Sequence, residues 1–467
     1  MAYVQIFNNK INNMKSTYFL YSFIIIFLCA VGGACTKYLD VKPDYRLKTP
    51  ASIADLQAML DEGNRVNSRG LSFDETSMDD YFLPENVYNS LPALQRAAYT
   101  WQVLDYQQFP NDWSNTYDVV NISNIVLDNI EKMERNITNA GAWDNVKGSA
   151  MFIRANTLLH ASWVFCNAWD AASADTDFGL ALKTTSDMNA ATTRSSLTQT
   201  YEFILNDLRV AATLLPPLPI HPMRPSRAAA FGVLARAFMS MRQYDSCNKY
   251  ANLALSIKND LMDFNTINLT ARKPFNRHNI EVVYDIIIAN ASFYCSNPSY
   301  ANVIPEIIES YDDNDLRKTG YFTANSTGYY FKGNYSNSLF DMYRGLTTDE
   351  LYLMRAESRA RNGDTEDAIS DLNTLLQTRW VTGEFIPYEA TNANEALLLI
   401  LKERRKELLW RGLRWMDIKR LNKEGKEITL KRITGDQTYT LEPNSPYYAL
   451  PIPDDIIQMT GIPQNPD

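Results

Sequence analysis

Tyrosine and tryptophan crowd segments of this chain whose other residues are largely Asn, Asp and Ser, and these rings are its first chemical resource. Tyr81, Tyr88, Trp101 and Trp113 fall in one long irregular stretch, 61–116. Tyr294, Tyr300, Tyr329, Tyr330 and Tyr335 fall in a second, 259–346. A flat ring packs against the apolar face of a ligand while its hydroxyl or indole N–H orients the contact. Asp79 and Asp80, beside Tyr81, are candidates for the polar groups of such a ligand. Any one ring is more often a packing residue, so the expectation rests on the set.

Bond-making chemistry is poorly served. The chain has three histidines, His160, His221 and His278, and neither an HExxH nor a paired-cysteine spacing for a metal. It has no phosphate loop and no GxSxG elbow. Ser246-Cys247-Asn248-Lys249 fits SxxK and Lys318-Thr319-Gly320 fits KTG, but the Ser-Asp-Asn element that should join them is missing. Ser246 also stands where the second helix of a hairpin would be capped. A pair of opposed glycosidase carboxylates can hide among 54 acids, so a hydrolase stays as the weaker rival. The expectation is a protein that is not an enzyme and needs no cofactor or metal.

The first residues say where the chain works. Lys10 and Lys15 precede an apolar run from Phe19 to Val31, and Gly32-Gly33-Ala34 then leads to Cys35. This is the pattern of a secretory signal, too short for a membrane span of roughly 20 apolar residues. A cysteine directly after the small residues is similar to a bacterial lipobox, although Gly32 stands where Leu is usual. Residues 1–34 are expected to be removed and Cys35 to carry the lipid, with Met14 a rival start to Met1. The net charge of −9 excludes a nucleic-acid partner and charge-driven adhesion to anionic lipid. Cys166, Cys247 and Cys295 are too few and too scattered for a disulfide framework, and one bridge among them stays open.

The elements that must position the rings are helical. Spacings of three and four residues predict helices over 117–133, 146–168, 198–214 and about 394–411. Phe231, Leu234, Ala235, Phe238 and Met239, a short turn, then Cys247, Tyr250, Ala251, Ala254 and Leu255 predict a helical hairpin. Thr347-x-x-Glu350 reads as a capping box before a second hairpin that turns at Gly363. Paired Ala-rich helices of this length look like tetratricopeptide units. Hairpins are placed at about 117–168, 198–256 and 347–420, and a strand at Glu281 to Ile288. The run Glu403-Arg404-Arg405-Lys406-Glu407 reads as i,i+4 pairing on a solvated helix face with a structural role. The fold class is therefore mostly α, a scaffold of tetratricopeptide-like hairpins carrying a loop-rich ligand face over 61–116 and 259–346, with minor short β.

Several motifs, in order, then resemble the SusD/RagB-type outer-membrane lipoproteins of the Bacteroidetes. They are Cys35 to Pro43, Asp79-Asp80-Tyr81, Tyr99-Thr100-Trp101 and Arg224 to Arg236. Asp315-Leu316-Arg317 with Tyr321-Phe322, Glu403 to Leu408, Gly412 to Arg420 and Leu450-Pro451-Ile452-Pro453 complete the series. The resemblance covers the whole mature chain and implies one domain over 35–467. It implies a lipid-anchored, outward-facing protein of the outer membrane, held in the lipid by Cys35. Its implied task is to bind an oligomeric nutrient, a glycan or else a peptide, and deliver it to a SusC-like TonB-dependent transporter. A non-nutrient envelope adaptor is the remaining alternative.

Overall fold

In the computed structural model, residues 50–102, 111–288 and 300–466 are described. Cys35, Tyr294, Cys295 and the leader lie outside them. Ser52–Asp467 forms one compact unit.

The longer helices are α1 Ile53–Leu60, α2 Asp112–Ile130, α3 Ala140–Phe165, α4 Leu197–Leu214, α5 Arg227–Ser240, α6 Tyr244–Leu255, α7 Thr348–Arg361, α8 Thr365–Gln377, α9 Ala393–Glu407 and α10 Arg414–Asn422. Their ends are written locally. Asn111 with Ser114 and Ser196 with Gln199 form reciprocal capping boxes for α2 and α4, and Ser226 and Asn392 cap α5 and α9. Leu215-Pro216-Pro217 stops α4. After α7 the chain turns at Gly363, whose φ of +88° suits a residue without Cβ.

From α2 to α8 each helix packs on the next, and α9 closes against α7 and α8. Nearest-neighbour stacking of hairpins is the geometry of helical repeats. The architecture is mostly α, as the spacing predicts. Buried Ala228, Ala229, Ala235, Ala237, Ala356, Ala360 and Ala368 let the axes approach. At Gly232 a Cβ would meet a side-chain methyl of Leu346 at 2.3 Å, so α5 packs closely on the strand Leu346–Thr347 there. Cys166 and Cys247 are buried thiols, both free.

Against this scaffold sits a second layer with its own apolar core, which includes Tyr81, Tyr99, Phe264, Phe275, Tyr321, Phe331, Tyr335 and Trp410. Its backbone is pinned by two-stranded antiparallel pairs. Tyr81–Phe82 pairs with Asn302–Val303, and Phe322–Ala324 with Tyr329–Phe331.

Four local expectations are corrected. The stretch 61–116 is not plain loop: it holds helices at Gly63–Val66, Phe73–Ser77, Glu85–Ser90 and Ala93–Tyr99. The strand over Glu281 to Ile288 is two, Val282–Tyr284 and Ile287–Ile288, with different partners. Asp285 interrupts them by binding Arg277. The Thr347/Glu350 capping box does not form, because the Thr347 hydroxyl donates to Asp349 and Glu350 is drawn away to Arg236. Nor does Ser246 cap α6, which begins earlier, at Tyr244.

The charge run on α9 is likewise not solvated. Glu403, Arg404, Lys406 and Glu407 are buried. Arg317 donates to Asp315 (2.7 Å), Glu403 (2.6 Å) and Glu407 (2.9 Å), and Arg379 bridges Glu407 (2.8 Å) to Glu281 (2.7 Å). Arg404, Asp417, Arg420 and Glu357 extend a second network across α9, α10 and α7. Burial disfavours every one of these charges, but the neighbouring carboxylates outweigh it and raise the Arg317 and Arg379 pKa values well above the ordinary arginine value. Such clusters hold shape only while complete.

Candidate functional site

The part of the loop layer that exposes aromatic faces is built where the two long stretches meet. Tyr81–Phe82 from the first pairs with Asn302–Val303 from the second, and the latter lies against the strand Tyr329–Phe331. The hairpin Phe322–Ala324/Tyr329–Phe331 turns through Asn325-Ser326-Thr327-Gly328. Its tip is held by amides. Asn302 Nδ2 donates to Thr327 Oγ1 (2.9 Å), Asn325 Nδ2 donates to Asn302 Oδ1 (2.8 Å), and Asn325 Oδ1 accepts from the Thr327 N–H (2.8 Å). Gly328 has φ +155°, and a Cβ there would stand 3.4 Å from Asn302 Oδ1. Tyr300 and Tyr329, which flank this support in sequence, are 41% and 42% exposed, and Tyr330, on the other face of its strand from Tyr329, is half-buried.

Of the rings expected to face a ligand, Tyr300 and Tyr329 are exposed and Tyr330 is half-buried, and Tyr88 lies half-buried with its ring 5.8 Å from that of Tyr99. Four others are corrected to the interior. Tyr81 is fully buried and its hydroxyl donates to the Thr76 carbonyl (2.6 Å). Trp101 is buried and its indole N–H donates to the Ser77 carbonyl (2.9 Å). Trp113 opens α2 and packs edge-on against Phe165. Tyr335 is buried, donates to Glu281 (2.6 Å), and has the Arg411 guanidinium 3.8 Å above its ring. Arg432 explains two of these rings at once. Its guanidinium lies over Tyr81, Tyr99 and Trp101 and donates to the carbonyls of Tyr81 and Met78.

Asp79 and Asp80 are also committed elsewhere. Asp79 accepts two hydrogen bonds from Arg414 (2.7 and 2.8 Å) and one from Arg405 (3.2 Å), and Asp80 accepts from Arg405 (2.8 Å). Burial pushes the Asp79 carboxyl up, but Arg414 and Arg405 outweigh it and hold it low. At Asp80 burial wins, helped by the charge of Asp79, and its pKa is raised. These two acids tie the first stretch to α9 and α10.

Sequence reasoning missed the amides Asn302 and Asn325 and the hydroxyl of Thr327. The signal was available in part: Asn-Ser-Thr-Gly between two aromatic runs is hairpin composition. That Asn302 closes the tip is a contact between distant segments, which no local pattern carries.

Two buried titratable groups elsewhere are held by backbone contacts. Glu75 accepts from the Gly412 N–H, and burial, then the charge of Asp74, pushes its carboxyl up to about 8. Burial draws Lys419 down to about 7 while its ammonium donates to the carbonyls of Trp163, Cys166 and Tyr448. Among the described residues no group of three or more His, Cys, Asp or Glu could hold a metal ion, and no helix is long and apolar enough to cross a membrane.

A stacked-hairpin scaffold bearing an aromatic and amide face defines a class of helical-repeat binding proteins. Comparison with known proteins narrows it. The SusD-like family profile described as "Starch-binding associating with outer membrane" matches residues 37–239, and the SusD family profile matches residues 319–467. The chain belongs to the SusD/RagB family, whose members are associated with the outer membrane. No curated protein sequence matches it. Among solved structures, a SusD superfamily protein from Bacteroides thetaiotaomicron matches at TM-score 0.73 and 18% identity, over 89% of this chain and 100% of that one. A SusD-like carbohydrate-binding protein from Bacteroides vulgatus matches at TM-score 0.67 and 22% identity, over 88% and 97%. Another from Bacteroides fragilis matches at TM-score 0.67 and 14% identity, over 87% and 98%. At these identities the likeness is one of fold.

Proposed function

We propose that this protein binds an oligomeric nutrient, a glycan, at the outer surface of the cell and delivers it to a SusC-like TonB-dependent transporter without cleaving it. The observation that carries the reading is the exposure of Tyr300 and Tyr329 on segments tied together by the hydrogen-bonded Asn302–Asn325–Thr327 support. Flat rings take the C–H faces of a sugar, and amides and tyrosine hydroxyls take its hydroxyls. The two SusD-like relatives described as carbohydrate-binding favour the same ligand class. In this reading Cys35 carries the lipid that keeps the protein at the membrane, and the partner barrel supplies a broad protein interface.

Affinity electrophoresis through a panel of polysaccharides tests it. Retardation by at least one glycan with no released reducing sugar is the expected result. Sugar release would make the protein a hydrolase. Binding of a peptide pool and of no glycan would replace the ligand, and binding of neither would leave an adaptor. Copurification of the barrel, and labelling of the chain by radioactive palmitate lost in Cys35→Ser, test partner and anchor.

A further inference from the structure

A concavity elsewhere in the fold shares no residue with the aromatic face. It has a volume of about 840 Å³ and runs between one face of α8 and the loop 380–388. That is within the range of ligand pockets, roughly 300–1,000 Å³. We propose that this groove is a second saccharide site, selective for a neutral segment of an oligosaccharide; it rests on the glycan reading above for its ligand class.

The groove is held open by side-chain amides at both ends of the loop. Asn265 accepts from the Thr382 N–H (3.0 Å) and donates to the Trp380 carbonyl (2.9 Å). Asn373, on α8, accepts from the Tyr388 N–H (2.8 Å) and donates to the Tyr388 carbonyl (2.9 Å). The wall between these braces therefore exists before any ligand arrives, which lowers the ordering cost of binding. Phe385, half-buried between Trp380 and Tyr388 at centroid distances of 5.7 and 6.4 Å, lines the groove, and buried Ile369 lines it from α8.

Opposite, α8 presents Glu366, Ser370 and Gln377 at helical spacing, and Thr382 faces them from the loop. These four side chains are exposed and make no hydrogen bond among the described residues. Exposed donors and acceptors on α8 and at Thr382 therefore share the groove with apolar Ile369, Val381, Phe385 and Pro387, the mixture that a ring with hydroxyls at its edge and C–H on its face requires. The lining includes the carboxyl side chains Asp263 and Glu366 but no Lys, Arg or His. An anionic glycan would meet charge of its own sign with nothing to neutralise it. An extended peptide is less well served, since neither wall is a strand edge.

Isothermal titration of the full mature chain with maltohexaose, cellohexaose, xylohexaose and mannohexaose, and with hexagalacturonate as anionic control, tests the site. At least one neutral hexaose should bind at two sites per chain. Ser370→Trp, which fills the groove from an exposed position, and Phe385→Ala should each weaken one site tenfold or more with unchanged melting. Tyr329→Ala/Tyr330→Ala should weaken the other and spare the groove. The proposal is overturned if both groove variants keep the wild-type stoichiometry and affinities, or if the tyrosine variant abolishes all binding. It is overturned equally if hexagalacturonate or a hexapeptide pool binds the groove as tightly as the best neutral sugar, or if no neutral hexaose binds. Groove binding that survives while the tyrosine variant changes nothing would remove the aromatic-face reading and leave this one standing.

Discussion

Arg317 and Tyr329 stand on either side of one short hairpin strand, and their circumstances are opposite. Arg317 is fully buried, bound by three carboxylates, and joins the loop layer to α9. Tyr329 is 42% exposed and rests on a support of neutral amides. Much of the charge in the loop layer that meets the C-terminal helices is spent internally, whereas Tyr329 stays exposed, its hairpin tip held by neutral side chains. The difference separates two tasks. The ionic layer fixes how the loops sit on the hairpins, and the aromatic face is free to meet a ligand because it carries none of that load.

Substitutions can break this division or sharpen it. Arg317→Met leaves Asp315, Glu403 and Glu407 without their shared cation, and should cost about 3–5 kcal/mol in urea unfolding. A loss below about 1 kcal/mol would mean that the network is not what holds the layers together. Glu75→Gln probes the same layer through pH. Glu75 titrates near 4.5 in the unfolded chain and about 8 in the folded protein, so the folded state holds a proton that the unfolded chain has lost. That contribution falls as pH rises from about 4.5 to 8. The glutamine variant should therefore gain on the wild type across this window, by about 1 kcal/mol or more at pH 9 relative to pH 5. A stability gap that stays constant between those pH values would refute it.

On the other side of the comparison, Tyr329→Ala/Tyr330→Ala should weaken glycan binding at the aromatic face at least tenfold, about 1.4 kcal/mol, while stability shifts by no more than about 0.5 kcal/mol. A variant that unfolds more easily yet binds as before would place these rings with Tyr335, in the interior. The smallest effect should come from Ser246→Ala. It belongs to neither region, and neither binding nor stability should move beyond about 0.5 kcal/mol. Acylation of wild-type Ser246 by a β-lactam, seen by mass spectrometry, would contradict that.

Helices were legible from sequence because burial of one helix face repeats every three to four residues and capping residues sit beside it. The boundaries of α4 follow from Ser196, Gln199 and two prolines alone. The aromatic face was legible only as a pool of candidates. Tyr329 and Tyr335 occur in similar company, yet Arg411 and Glu281 draw Tyr335 inward while Gly328 and Asn325 turn Tyr329 out.

What the amino-acid sequence determines by itself is the hairpin scaffold and the family, since both rest on local spacing and on motifs in order along the chain. Tertiary structure alone decides which charges and rings are spent indoors. Asp80 meets Arg405, and Tyr81 meets Arg432, across most of the chain length. A charged or aromatic side chain is stable in either setting and takes the one its distant neighbours complete.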